Sequence, residues 1–285
     1  MPALALIATG LPARAQDLPP FAINPERVHP MSASRCARAG TYIVPSLYLY
    51  VLARSRTGKE EKSSRRIFAQ GLEKTELQAL SRTLYDDFVG RLRAGGAKVL
   101  TYDDIRTDLA QLPRKQMDEK LGMPVRNGRE DLLEFAVAAP SDEQAIDWDR
   151  KGPTFPYRAL AESRLAAVIV PEISFTLPQS GTKRNKAGRS EVKISPALVF
   201  SSGMMNGMPQ DLRWCNIHVQ EHTYRLAAPV AGTVVPVRQG EILAGKWSVR
   251  RGDYDFVVDP QALRTGVLRV GYAFNSLMAE TLRGD

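Results

Sequence analysis

The sequence predicts an α/β (or α+β) protein, a mixed sheet flanked by helices with a strand-rich C-terminal half that ends in a helix. Three observations predict it. Leu77, Leu80, Leu84, Phe88 and Leu92 recur at spacings of three and four, marking one face of an amphipathic helix over 74–94. From Ala166 onward, short apolar segments alternate with turn residues, as successive strands do. Asp259 followed by Pro260 is a helix-start signal, and Leu263, Val267, Val270, Phe274, Leu277 and Met278 continue it with helical spacing.

In chain order, residues 1–15 read as a signal peptide. The apolar run 4–11 precedes Ala13-Arg14-Ala15, the small-x-small form that an export peptidase cuts after, although no Lys or Arg precedes the run. The mature chain then starts near Gln16, with an extended segment over 16–40 and a single α/β domain over 41–285. The β-rich stretch 43–51 echoes 169–177, and each runs into a basic hydrophilic loop, 54–66 and 182–189. The two stretches are either equivalent strands of one sheet or a chance likeness, and Pro45 and Pro171 place them at strand starts, edges or bulges. For the helix at 74–94, Thr75 and Gln78 fit a capping box, and Gly95-Gly96 is the stop. A short strand over 99–102 follows, with Asp103 or Asp104 capping a helix that ends before Pro113. Weak periodicity over 113–156, broken by Pro, Gly and charges, reads as an insertion with one helical candidate at 131–138. A helix at 157–165 feeds a strand at Ala166, and further strands are expected at 191–200, within 212–226, and at 233–237, 242–249 and 254–258.

With 285 residues, 44% hydrophobic and 25% charged, the chain has globular composition and enough apolar surface for a sizeable core. No later segment reaches the roughly 18–20 apolar residues of a membrane-spanning helix. The excess of 39 basic over 31 acidic residues gives a net charge of +8, which favours anionic partners. Nucleic acid is not among them: export argues against it, and neither zinc-finger ligands nor the aromatic strand motif of RNA-binding sheets is present. The two cysteines, Cys36 and Cys215, pair in an oxidising compartment if the fold brings them together, and otherwise stay as isolated thiols. Residues 32–35 do not form the small-apolar box of a lipid-modified cysteine.

His218-Val219-Gln220-Glu221-His222 has the H-x-x-E-H form of inverted zinc peptidases, in which two histidines bind zinc and the glutamate activates water. The chemistry needs a helix, which brings positions i and i+4 together; on a strand the two histidines stand about 13 Å apart. The third ligand would come from Glu241, Asp253, Asp255 or Glu280. No nucleophile elbow, phosphate loop or dinucleotide fingerprint is present. The adjacent acids Asp86-Asp87 and Asp103-Asp104 read as a solvated face and helix caps. Lys183, Arg184, Lys186 and Arg189 crowd a turn-like stretch between two strand signals, a hairpin tip suited to an anionic surface.

The order of elements carries a resemblance. A strand and long loop, the helix over 74–94, Gly95-Gly96-Ala97-Lys98-Val99-Leu100, a second helix and then the run from Ala161 to Val170 resemble the domain shared by the curli-secretion channel lipoprotein and the amino-terminal domain of the Tol translocation protein. The likeness covers roughly 41–200 and is one of pattern. It implies envelope assembly through protein contacts, with no catalytic residues to carry over. The chain departs from the channel lipoproteins in lacking the lipid-box cysteine and an evident membrane hairpin. The expectation is therefore a periplasmic or secreted, non-enzymatic protein without cofactor that binds envelope proteins or anionic envelope polymers through sheet edges and basic loops, edges that also suit a homo-oligomer. The competing reading is a zinc-dependent hydrolase using His218, Glu221 and His222.

Overall fold

The computed structural model describes residues 23, 28–29, 33–37, 39–57, 65–119, 121–127, 133–147, 156–176, 179–184, 190–195, 199–208, 215–225, 232–238, 242–243, 248–249 and 252–284. The expected signal peptide at 1–15 lies outside them. In chain order the elements are β1 (Val28–His29), α1 (Ala33–Cys36), β2 (Thr41–Val44), β3 (Tyr48–Thr57), β4 (Arg65–Gln70), α2 (Lys74–Ala94) and β5 (Lys98–Thr101). A 3-10 turn (Asp103–Ile105) runs into α3 (Arg106–Leu109), followed by β6 (Met117–Asp118), β7 (Met123–Asn127), β8 (Leu133–Ala138), α4 (Pro156–Arg164) and β9 (Ala167–Thr176). The C-terminal half holds β10 (Gln179–Arg184), β11 (Ser190–Ser195), β12 (Val199–Met208), β13 (Cys215–Arg225), β14 (Gly232–Arg238), β15 (Ile242–Leu243), β16 (Ser248–Val249), β17 (Gly252–Val258) and α5 (Pro260–Arg283).

Most strands join one mixed sheet in the order β1-β13-β12-β9-β3-β4-β17-β14, while β10-β11-β16-β15 form a second. Period-two alternation splits the main sheet's residues between two cores. Val44, Leu47, Leu49, Val51, Ile169, Ile173 and Phe175 bury on the face covered by α2 and α5. Ile43, Tyr48, Tyr50, Val168 and Val170 bury on the other, with α4, α3 and Ala145-Ile146. The expected α/β architecture, a mixed sheet with helices and a closing C-terminal helix, is therefore what the chain forms.

The two echoing stretches are neighbours in this sheet. β9 pairs in parallel with β2 (Tyr42↔Ala167, Ile43↔Val168) and then with β3 (Tyr48↔Glu172 to Val51↔Phe175). Pro45 lies in the break between β2 and β3, and Pro171 lies in β9 opposite that break, where its missing N–H leaves no ladder bond unmade on that edge. The break leaves main-chain carbonyls in the core, and side chains take them up: Tyr85 Oη donates to Val44 O (2.8 Å), Gln144 Nε2 to Pro45 O (3.1 Å) and Ser81 Oγ to Leu47 O (2.8 Å).

Several local expectations are corrected. The N-cap of α2 is Glu73, without a side-chain cap bond, so Thr75 lies inside the helix; Gln78 and Lys74 both reach Asp142 instead, at 2.8 and 2.7 Å. Asp104 does not cap the next helix. Its carboxylate turns back to accept from Thr101 N (2.7 Å) and Thr101 Oγ1 (2.8 Å), bonds that hold its pKa below the ordinary range. Of the helix expected at 131–138, the described part 133–138 is a strand: β8 pairs antiparallel with β3 and with β7, so 113–156 adds strands to the main sheet. The basic stretch 54–66 supplies the arms of a hairpin, with Arg54–Thr57 of β3 paired to β4. The strand expected over 191–200 is two strands, β11 and the start of β12.

Candidate functional site

The basic hairpin forms. β10 and β11 pair antiparallel from Gln179↔Ser195 to Arg184↔Ser190, in the second sheet rather than the main one. This register puts Lys183 and Arg184 at the closing end of the ladder. Lys186 and Arg189 lie in the connecting segment, outside the described residues. The sequence therefore collects four cations within seven residues at one end of the hairpin, with Glu191 opposite Lys183 as the nearest acid on the ladder.

The H-x-x-E-H segment lies on β13, not on a helix. Paired to β12 from Val199↔Arg225 to Gly207↔Cys215, with a register shift between Gln220 and Tyr224 of β13, the strand does not set positions 218 and 222 one helical turn apart. The helical geometry that the zinc-peptidase motif needs is therefore not formed. The proposed third ligands fare no better. Glu280 sits on α5, on the opposite face of the sheet from His218, and accepts from Ser276 Oγ (2.9 Å); Asp255 on β17 accepts from Gln70 Nε2 (3.0 Å). The side chain of Asp253 and the whole of Glu241 lie outside the description.

Of the two states the sequence left open for its cysteines, the paired one is formed. Cys36 at the end of α1 is bonded to Cys215 at the start of β13, their Cα atoms 5.8 Å apart, within the usual span of a bridge. Tyr42 reinforces it: its hydroxyl is shared between Cys36 O (3.0 Å) and Leu282 O (3.3 Å) and accepts from Ala39 N (3.3 Å). The N-terminal segment, β2 and the end of α5 thus meet at one point.

A third locus was not visible in the sequence. On the α4 face of the sheet, beyond the helices, a cleft of about 350 Å³ is lined by Lys115, Gln116, Met117, Asp118, Val125, Arg126 and Asp147. Its cations are engaged with rings and carboxylates. Arg126 lies 5.1 Å over the Tyr50 ring and donates to Glu172 Oε2 at 3.2 Å, while Lys115 lies 5.3 Å over Tyr48, whose hydroxyl contacts Ile146 O (2.7 Å) and Gln144 O (3.1 Å). Arg54 joins the edge of the cluster through Glu134 (2.7 Å) and Asp118 (3.5 Å). Glu172 is nearly buried, and the Arg126 guanidinium offsets the cost of its charge. The cleft brings together charges of both signs beside the Tyr48 and Tyr50 rings. Period-two alternation along β3 sets Tyr48 and Tyr50 on one face; the arrival of Lys115 and Arg126 there depends on the β6–β8 segment, whose strands the sequence did not reveal.

Among the described residues no helix is long and apolar enough to cross a membrane. No protein-family model and no curated protein sequence matches the chain.

Proposed function

We propose that the chain is an exported, non-enzymatic binding protein that works in cell-envelope assembly, secretion or surface maintenance, and that the β10–β11 hairpin is its contact with envelope proteins or anionic envelope polymers. The observation that carries this reading is the hairpin register, which sets Lys183 and Arg184 at the closing end, next in sequence to Lys186 and Arg189. Cations clustered within about one Debye length, ~8 Å at physiological salt, act on an anionic surface as one multivalent group. The Cys36–Cys215 bond supports an oxidising compartment, as export requires. The strand geometry of β13 removes the support for the zinc hydrolase.

Lipopolysaccharide is the probe. Binding of the full chain should weaken at least tenfold between about 50 and 300 mM salt, and by a similar factor when Lys183, Arg184, Lys186 and Arg189 are all replaced by Gln. Equal binding by the fourfold variant, or binding indifferent to salt, would sink the assignment of the hairpin. Fractionation of producing cells tests the address separately, with the chain expected outside the cytoplasm.

A further inference from the structure

Among the described residues β5 pairs with β2 alone, in parallel from Thr41↔Lys98 to Val44↔Thr101, so its other side is an edge of the main sheet. Lys98 N donates to Gly40 O (3.0 Å), which fixes the alternation along the strand: Lys98 and Leu100 turn their main chain toward β2, while Val99 and Thr101 turn theirs outward. The outward residues are the ones that side chains of this chain cover. Arg93 Nη2, from the last turn of α2, donates to Val99 O (3.3 Å), and the Asp104 carboxylate accepts from Thr101 N (2.7 Å) and Thr101 Oγ1 (2.8 Å). Both covering side chains belong to exposed residues, so neither is fixed in place by the core. Outward main-chain groups on an edge strand are a template for one more strand, and side chains bonded to them keep that strand off.

We propose that the β5 edge is a docking edge for a second copy of this chain, held closed by Arg93 and Asp104 and opened when they withdraw. One twofold antiparallel register uses both outward residues. Val99 exchanges main-chain bonds with Thr101 of the second copy, Thr101 exchanges them with its Val99, and the two Leu100 positions face each other at the axis. Charge selects this occupant. In that register the exposed Lys98 stands opposite position 102 of the second copy, next in sequence to its Asp103 and Asp104. Asp103 is exposed and accepts from Arg106 Nη2 (2.9 Å), so a second cation joins a carboxylate that already binds one. On opening, the Asp104 carboxylate gives up Thr101 N to a main-chain carbonyl and turns to Lys98 across the axis. The match is reciprocal, since each copy brings one Lys98 and one pair of acids, and a strand of other sequence would meet the same main-chain groups without it.

The test is sedimentation equilibrium of the full chain with its disulfide formed, over about 1–200 μM. Asp104→Ala should raise the self-association constant about tenfold, and Asp104→Ala with Arg93→Ala about a hundredfold. Asp104→Asn, whose amide oxygen still accepts from Thr101 N, should stay within about threefold of the unaltered chain. In the doubly opened chain, Lys98→Glu should lower association about tenfold by setting like charges together. Leu100→Cys in that background should be joined between copies by mild oxidation, because opposed positions of an antiparallel pair have Cβ atoms about 4.5–5.5 Å apart. Melting temperatures separate opening from unfolding; should the double variant unfold, the decision falls on Arg93→Ala, which leaves the Asp104 turn intact, and on its Leu100→Cys link. Opened variants that stay monomeric up to about 200 μM, or that associate without the Leu100→Cys link, would overturn the proposal. None of these residues belongs to the basic hairpin, so this outcome and that of the lipopolysaccharide assay are independent.

Discussion

Tyr85 shows how much one hydroxyl carries in this chain. It donates to Val44 O where β2 breaks and accepts from Tyr102 N (3.2 Å) where β5 turns into the 3-10 segment, so a single side chain of α2 satisfies two buried main-chain groups. Burial pushes its pKa up from 10 to about 12, against the opposing pull of the Tyr102 N–H and Arg82. Because the folded value lies above the unfolded one, the associated stability is fully present below about pH 10 and is lost as pH rises toward 12; complete loss amounts to roughly 2–3 kcal/mol. Urea unfolding at pH 8, 10 and 11.5 should show that decline. Tyr85→Phe should begin about 1–2 kcal/mol less stable at pH 8, with two main-chain groups unpaired, and decline less steeply; identical slopes would refute the role. Gly271 is a second residue of this kind. A Cβ at its position would run into the side chain of Leu84, which is fully buried and cannot swing into solvent. Gly271→Ala gains about 1 kcal/mol of helix propensity but overpacks the α2–α5 contact by about 1–3 kcal/mol, so it should be net destabilising. Leu84→Ala, which alone costs about 2–5 kcal/mol, should cost less in the Gly271→Ala background, a coupling that a double-mutant cycle reads directly.

Among the elements, the helices are the ones written in local sequence. α5 begins where Asp259 and Pro260 say it does, and Asp259 Oδ1 accepts from Gln261 N (2.9 Å) and Ala262 N (3.1 Å). Asp259→Ala should therefore cost about 0.5–2 kcal/mol in chemical unfolding, while Asp259→Asn should keep most of the cap; equal losses would show that the charge, not the bond, matters. α2 was legible in its extent and its stop, though not in its N-cap, because its apolar face repeats over several turns and two glycines follow it. β12 was not. Ser201, Ser202, Gly203, Asn206 and Gly207 have poor strand propensity, yet β12 is paired along both edges, to β9 and β13. Gly203 is needed there because the Phe274 ring of α5 occupies the space a Cβ would take, a demand made by an element seventy residues later. β8 misled in the other direction: Leu, Glu and Ala suit a helix, and pairing with β3 on one edge and β7 on the other makes them a strand. The candidate sites divide along the same line. The basic hairpin is local and could be read, whereas the cleft at Lys115 and Arg126 exists only through pairing between distant strands.

At the scale of the whole molecule, the Cys36–Cys215 bond decides how the N-terminal segment belongs to the fold. The bridge spans a sequence separation of 179, and closing so long a loop removes about 5 kcal/mol of unfolded-chain entropy in the simplest treatment, with about 2–4 kcal/mol usual in practice. It also acts locally, since both cysteines are fully buried and the chain from Cys36 to Tyr42 is tied to Leu282 at the end of α5 through the Tyr42 hydroxyl. Most of the core of α2, α5 and the central strands lies within 41–285, with Ile23, Cys36 and Ala39 adding to it from the N-terminal segment. Replacing both cysteines by Ser should therefore lower stability by about 2–4 kcal/mol without abolishing the fold. Hydrogen exchange should distinguish the two contributions: amides over 33–42 and at the start of β13 should lose protection in the native variant, while those of α2 stay protected to nearly its full unfolding free energy. A stability loss with unchanged exchange at 33–42 would mean that the bond acts on the unfolded chain alone, and unchanged stability together with unchanged exchange would show that the segment is held by β1 and α1 without it.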